Sequence, residues 1–170
     1  DQFYEKLSDL NVPLFIHPAP ANIDGPPGDS NLQQFDLDII VGFAASETIA
    51  VCTLIYGGVL DRFPQLDVCL SHGGGFTGYA FGRMALAAKK RPWASERLMQ
   101  DGAFEEQLYR LWFDVHVHSD DALELLTRHV NPRRLVFGTN FAGWDQQQHN
   151  VRAEAAPYTE NARALLRAPS

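Results

Sequence analysis

The sequence predicts an α/β fold with a parallel sheet. Four short apolar segments alternate with helical patterns along the chain, and this alternation is typical of parallel strands joined by crossover helices. The apolar segments are unbroken, as expected for a sheet that is covered on both faces. Polar residues follow each segment directly, and the carboxyl ends of parallel strands are where such folds carry their sites.

The first half of the chain contains two of the predicted helices and one strand. Spacing predicts the end of an amphipathic helix over residues 3–10 and a strand over residues 12–18. Residues 19–38 are rich in Pro, Gly, Asn and Asp, which predicts a long loop of the kind used as a lid or binding loop. A helix is predicted over residues 46–63, with Ser46 as its N-cap and Glu47 favouring its positive end. The pair Gly57-Gly58 predicts a kink or a close contact within it.

The second half repeats the pattern three times. The predicted strands are residues 66–71, 111–118 and 135–140, and the predicted helices are residues 76–89, 104–110, 120–130 and 158–167. Ser119 is positioned to cap the helix that begins after it. The chain has room for one domain, residues 1–170.

Charge and composition exclude some classes of partner. The net charge is −7, which argues against nucleic acid and anionic membranes, because both are bound by basic surfaces. No apolar run approaches the ~20 residues of a membrane helix. Cys52 and Cys69 lie in apolar runs outside any metal or redox spacing, which indicates buried thiols in a reducing compartment. We therefore expect no signal peptide and a cytoplasmic location.

His17 and His72 each close a predicted strand. Two imidazoles at equivalent strand ends can converge on one metal ion or one substrate, but each can also be a core histidine bonded to backbone. His118 and Asn140 occupy the same place on the other two strands. An amide at that place can bind a substrate or cap the next turn.

The three glycines after His72 allow a second interpretation. Gly73-x-Gly75-x-x-Gly78 matches the dinucleotide-binding pattern and lies between a strand and a helix. The acidic partner should close the next strand about 20 residues later. Residues 93–101 are charged and do not resemble a strand, so this interpretation is the weaker one.

Asp114, His116 and His118 alternate along the third predicted strand and would share one face of it. A His-x-His pair on one face can chelate a metal ion. In the alternative, His116 packs toward the helices and only His118 reaches the rim.

Several stretches together resemble one known family. They are PLFIHP (13–18), GGVLDRFP (57–64), SHGGG (71–75), DVHVH (114–118), RLVFGTN (134–140) and NARALL (161–166). Their order is similar to that of the metal-dependent amidohydrolase-related (amidohydrolase 2) family, in particular its aminocarboxymuconate-semialdehyde decarboxylase-like branch.

The resemblance implies the second half of a metal-dependent-hydrolase-like (β/α)8 TIM barrel, strands five to eight. His17 would be a metal ligand, His72 the residue that moves a proton, and His118 a rim residue that we assign to substrate binding. Asn140 stands where the family has a metal-binding Asp. The family's strand-one His-x-His pair is absent, and the chain begins at Asp1 without Met, so we expect a piece of a longer protein.

The implied function is a metal-dependent decarboxylase of a small unsaturated or aromatic carboxylic acid, with a divalent cation that we expect to be Zn²⁺. Asn140 cannot act as a base toward water, which favours a lyase over a related hydrolase. Asp145 could supply a carboxylate from the neighbouring loop. The remaining alternatives are a catalytically impaired, non-enzymatic relative and a dinucleotide-binding protein. Because half a barrel leaves open edges and an uncovered face, we expect a homo-oligomer or a complex with the missing half.

Overall fold

Four short strands form one parallel sheet in the order of the chain. The computed structural model describes residues 1–19, 29–141, 143–146 and 155–168. The strands are β1 (Leu14–Ile16), β2 (Val68–Leu70), β3 (Trp112–Asp114) and β4 (Leu135–Val136). Each pairs in parallel with the next, so the order is β1-β2-β3-β4. The predicted parallel α/β architecture is confirmed, and its consecutive order is the one a barrel requires.

Helices connect these strands. They are α1 (Gln2–Asp9), α2 (Phe43–Tyr56), α3 (Val59–Arg62), α4 (Thr77–Lys90), α5 (Ala103–Leu108), α6 (Asp120–Thr127) and α7 (Thr159–Leu166). Ser119 caps α6 as predicted, because its side chain accepts a hydrogen bond from the Ala122 N–H. Of the long loop predicted over residues 19–38, residues 20–28 lie outside the described part of the chain.

The helix predicted over residues 46–63 has different limits. A π-helical turn, Asp38–Gly42, leads directly into α2, so Ser46 lies inside the helix and is not its N-cap. The kink or close contact predicted at Gly57-Gly58 is a break between two helices. Gly58 has a left-handed φ of 64°, which separates α2 from α3 and which glycine adopts without a steric cost.

The helical stretch Asp38–Tyr56 corrects one expectation from composition. It has 19 residues and contains an 18-residue window with a mean hydropathy of 1.9, which is long and apolar enough to cross a membrane by those criteria alone. Val51, Leu54 and Ile55 are buried in the core, and the helix also carries the buried Glu47. Its apolar character is therefore used, at least in part, for packing inside this domain.

The strands are shorter than the apolar runs that predict them. The Val117 N–H donates to the Val115 carbonyl in a tight turn, so residues 115–118 leave the pleat after β3. Asn140 has a φ of 47°, and the chain after β4 likewise turns away. As a result Asp114, His116 and His118 do not share one face of a continuous strand.

Both faces of the sheet are covered, to different extents. Leu14, Ile16, Val68 and Leu70 face the large core that includes residues of α2, α3, α4, α5 and α6. On the other face a smaller cluster is formed by Cys69, Trp112, Val136 and Leu165. Leu165 belongs to α7, so the face that we expected to be uncovered is partly covered. Phe15 in β1 remains 54% exposed on that side.

Candidate functional site

Four imidazoles lie in a row across the carboxyl ends of the first three strands. Ring centroids are 5.1 Å apart for His17 and His72, 5.6 Å for His72 and His116, and 5.1 Å for His116 and His118. All four rings line one cavity of about 520 Å³, together with Asn140 and Asp145. The structure therefore brings together every residue that the sequence singled out for the site.

His72 is held by a buried carboxylate. Its Nδ1–H donates to Glu47 Oε1 at 2.7 Å, and Ser71 Oγ lies 2.6 Å from the same oxygen. Glu47 comes from the second turn of α2 and is 1% exposed. The hydrogen bond to Glu47 raises the pKa of His72, and this effect outweighs the opposing effect of burial. The arrangement fixes the ring and favours its protonated form.

The glycines beside His72 allow close packing of the backbone and do not form the dinucleotide-binding loop that their spacing suggests. Gly75 has a φ of 65°, and a Cβ there would lie 2.0 Å from the Ala44 carbonyl oxygen. A Cβ on Gly74 would lie 2.6 Å from the Phe113 ring. The backbone is thus packed against protein atoms, so these glycines bring the loop close to α2 and β3 and leave no room for a phosphate.

Asp114 organises the loops below the cavity. Its Oδ1 accepts hydrogen bonds from the Gly73 N–H at 3.3 Å and the His116 N–H at 3.1 Å. Burial raises the pKa of Asp114. This is the acid that ends the strand after the glycines, but its carboxylate is engaged with the backbone, which argues against ribose binding and against the dinucleotide alternative.

Asp145 joins His116, His118 and Asn140 in one cluster. Asp145 Oδ2 lies 3.2 Å from His116 Nε2 and 3.1 Å from His118 Nε2, and its other oxygen accepts from the Asn140 amide. Burial raises the pKa of Asp145, but the hydrogen bonds from His116 and Asn140 lower it more, so it lies below its ordinary value. The loop carboxylate considered as an alternative is therefore inside the site.

His17 faces the same cavity from β1. Its Nδ1–H donates to the Pro18 carbonyl at 2.5 Å. Its ring packs edge-on against Phe43, with the ring centroids 5.9 Å apart. Because Nδ1 is occupied, Nε2 is the nitrogen left to bind a ligand. His17 and Asn140, the two predicted metal ligands, both line the cavity, but Asn140 already uses its amide nitrogen on Asp145.

The remainder of the wall is mainly apolar. Ile39, Ile40, Phe43, Val117 and Trp144 line it. Such a lining suits an unsaturated or aromatic carbon skeleton, while the imidazoles provide polar groups on one side.

Two residues of the site have contacts that the sequence does not predict. The sequence places Glu47 as a charge at a helix end, and it leaves chelation and core packing as alternatives for His116. A signal for Glu47 exists in the sequence, because it is the only charged residue between Asp38 and Asp61. A single charge within an apolar helix is costly to bury unless it is paired, so it marks a partner elsewhere in the fold.

Several known proteins are similar to this chain in sequence, in fold or in both. The model of a family described as Amidohydrolase matches residues 1–167. The 2-amino-3-carboxymuconate-6-semialdehyde decarboxylases of Dictyostelium discoideum and Caenorhabditis elegans are 30% and 32% identical to it, over 81% and 78% of the chain. A 2-keto-4-carboxy-3-hexenedioate hydratase of Sphingobium is 28% identical over 83%. The chain spans only about a third of these relatives, namely 37%, 32% and 36% of their lengths.

Solved structures give the same result for the fold. The crystal structure of 5-carboxyvanillate decarboxylase from Sphingomonas paucimobilis has a TM-score of 0.73 at 19% identity, with 96% of this chain and 52% of that chain covered. A dihydroxybenzoic acid decarboxylase from Polaromonas, with bound manganese and 2-nitroresorcinol, has a TM-score of 0.68 at 16% identity, covering 98% and 53%. The predicted half of a barrel is confirmed by these matches.

Proposed function

The chain belongs to the amidohydrolase family, and from that membership we propose that the complete protein decarboxylates a small unsaturated or aromatic carboxylic acid. The observation that carries the proposal is the pair of His72 and buried Glu47 at the floor of the apolar cavity. Relatives that share the fold include decarboxylases of carboxymuconate semialdehyde and of carboxyvanillate, which are acids of this class.

Loss of CO2 leaves an electron pair on carbon that must receive a proton. His72 is placed to donate it, because Glu47 holds the ring in one orientation and favours the imidazolium near neutral pH. The mainly apolar wall offers the carbon few other proton donors, and Glu47 balances the charge of the ring while it is protonated. His118 is 61% exposed at the rim, and its Nε2 lies 3.1 Å from Asp145 Oδ2, so its other ring nitrogen is the one that we assign to the substrate carboxylate.

A divalent cation, for which we propose Zn²⁺, would supply a Lewis acid that withdraws electrons from the substrate. His17 fits this role because its Nδ1 is bonded to the Pro18 carbonyl, which leaves Nε2 to bind an ion, and Asn140 fits it through its amide oxygen. Zinc sites use at least three protein ligands, so further ligands would come from the part of the protein that its relatives have and this chain lacks. The manganese in the Polaromonas decarboxylase supports a divalent ion at this family's site.

Release of CO2 by the complete protein tests the proposal. The substrates to try are 2-amino-3-carboxymuconate semialdehyde, 5-carboxyvanillate and dihydroxybenzoate. We expect His72→Gln to lower kcat by about 10²- to 10⁴-fold, the usual contribution of a positioned acid or base. His129→Gln, whose ring stacks on Phe81 away from the cavity, should leave kcat unchanged. Unaltered turnover in His72→Gln would contradict the assigned role, and a folded protein that turns over none of these acids would instead be the impaired relative.

Asp145 favours a second candidate, the addition of water. A carboxylate in the cavity can act as a base, so Asn140 alone does not separate decarboxylation from hydration or hydrolysis. The Sphingobium hydratase supports this alternative. Incorporation of ¹⁸O from labelled water into product without CO2 release would favour it over the decarboxylase.

The thiols support the proposed cytoplasmic location. Cys52 and Cys69 are both free, and burial raises the pKa of Cys69 to about 12. Neither thiol is ionised near neutral pH, as expected for packing residues in a reducing compartment.

A further inference from the structure

We propose that His116, His118 and Asp145 form a binding site for a divalent transition-metal ion, separate from the ion assigned to His17. The site consists of two imidazole nitrogens and one carboxylate oxygen, all within 4.8 Å of one another. It does not depend on the proposed decarboxylase activity, because its ligands all lie in this chain.

The distances are those of ligands that share an ion. Bonds of about 2.0–2.2 Å from one metal ion to a nitrogen and an oxygen place those two atoms about 3.0 Å apart at octahedral angles and about 3.4 Å apart at tetrahedral angles. Asp145 Oδ2 lies 3.2 Å from His116 Nε2 and 3.1 Å from His118 Nε2. The carboxylate oxygen is therefore at ligand distance from each imidazole, and the two imidazole nitrogens lie within 4.8 Å of each other.

The His116 ring is buried and reaches the cavity through one nitrogen. Its side chain is 1% exposed, and its Nδ1 has no hydrogen-bond partner among the described residues. The described backbone therefore does not hold this ring through Nδ1. Instead, the contact of this ring with a polar group is through Nε2, on the side of Asp145 and the cavity.

Asn140 prepares the carboxylate for this role. Its amide donates to Asp145 Oδ1, which leaves Oδ2 directed at the two imidazoles. A partner outside the ligand shell that orients a ligand is a regular feature of metal sites. Asn140 thus positions the carboxylate of Asp145, five residues later in the chain.

Two imidazoles and one carboxylate match Zn²⁺, Co²⁺, Fe²⁺ or Mn²⁺ better than Mg²⁺ or Ca²⁺, which prefer oxygen ligands alone. Three protein ligands leave positions open toward the cavity. His72 lies next to His116, with their ring centroids 5.6 Å apart, so a small molecule on such an ion would also reach His72.

Metal titration of the complete protein tests the site. The metal-free protein is titrated with Co²⁺ while its visible absorption is recorded, and Zn²⁺ binding is measured by calorimetry. We expect His118→Gln and Asp145→Asn each to weaken binding at this site by more than about 10-fold, because losing even an orienting partner costs about 10- to 100-fold. His118 is largely exposed, so its replacement should leave the fold intact.

Two further variants separate this site from the one assigned to His17. His129→Gln, outside the cavity, should bind as the original protein does, and His17→Gln should keep the Co²⁺ spectrum of this site. The inference is overturned if all metal is lost in His17→Gln, or if His118→Gln and Asp145→Asn bind like the original protein. The first of those results would leave the proposed decarboxylase intact. Conversely, a metal at this site without CO2 release would refute only the decarboxylase.

Discussion

At the scale of single residues, the site depends on one charge placed inside an apolar helix. Glu47 is buried, and its Oε1 is shared by His72 Nδ1 and Ser71 Oγ. A buried carboxylate is tolerated only when it is paired and hydrogen-bonded, so Glu47 needs His72 as its partner at this position. His72 itself has a φ of 45°, a conformation that is uncommon for residues other than glycine. The Glu47 contact is one of the interactions that hold it there.

Glu47→Gln should separate the charge from the hydrogen bond. The amide keeps a similar shape but removes the negative charge that stabilises the imidazolium, so we expect the pKa of His72 to fall. The ring then loses its proton at a lower pH than in the original protein. The high-pH side of the activity profile, where activity falls as His72 deprotonates, should move to lower pH, and kcat should fall by about 10-fold. NMR titration of the His72 ring measures the pKa. Glu96→Gln, on the surface, is the control, and an unmoved His72 pKa in Glu47→Gln would contradict the assignment.

At the scale of elements, the sequence predicts which segments are strands better than it predicts where they end. All four strands lie inside the predicted apolar runs, because burial on both faces requires such runs. Their ends are set by contacts that are distant in sequence, such as Asp114 with the Gly73 N–H. The positions of His17, His72, His118 and Asn140 after predicted strands predict that they lie close together, and they do line one cavity. Glu47 was missed because its partner is 25 residues away in a different element.

The opposite end of the sheet has its own polar centre at Asp67, just before β2. Trp112 Nε1 and Arg134 Nη1 donate to its Oδ1 at 2.8 and 2.6 Å, and Arg167 Nη2 lies 2.8 Å from Oδ2. These contacts join the beginnings of β2, β3 and β4 to α7. The carboxylate is 16% exposed, so the charges are only partly screened.

This centre should make stability depend on pH in the acid range. Burial raises the pKa of Asp67, but the hydrogen bonds from Trp112, Arg134 and Arg167 lower it more, so the folded pKa lies below the ordinary 3.8. A group of this kind stabilises the fold above its unfolded pKa, and that stability is lost as the pH falls through the folded value. The effect is thus complete at neutral pH, begins to be lost near pH 4 and disappears only when the pH is below the folded pKa.

Asp67→Asn tests this effect. We expect the free energy of unfolding of the complete protein at pH 7 to fall by about 2–4 kcal/mol, since two partly buried arginines lose their counter-charge. The difference between variant and original should shrink at about pH 3, which urea unfolding at both pH values measures. Asp101→Asn, which breaks the exposed pair with Lys89, should leave the free energy of unfolding nearly unchanged, because water screens an exposed ion pair. Equal losses in the two variants would show that the Asp67 centre contributes no more than a surface ion pair.

At the scale of the whole molecule, the chain is a half of a barrel whose sheet has two open edges among the described residues. β1 pairs only with β2 and β4 only with β3, whereas a closed barrel leaves no edge. α7 covers part of the second face through Leu165, but Phe15 in the middle of β1 is 54% exposed. Apolar side chains at an unpaired edge favour association with another chain.

We therefore expect residues 1–170, produced alone, to self-associate or to bind the other half of the barrel. Size-exclusion chromatography with light scattering should give a mass above the 19.0 kDa of one chain, increasing with concentration. Phe15→Glu should weaken this association, because a charge on the exposed side of β1 opposes pairing at that edge. Phe35→Glu is the matched control, since Phe35 is also exposed, at 80%, but lies outside the sheet. A 19.0 kDa monomer at all concentrations, with cooperative unfolding, would mean that α7 and the helices stabilise this half without a partner.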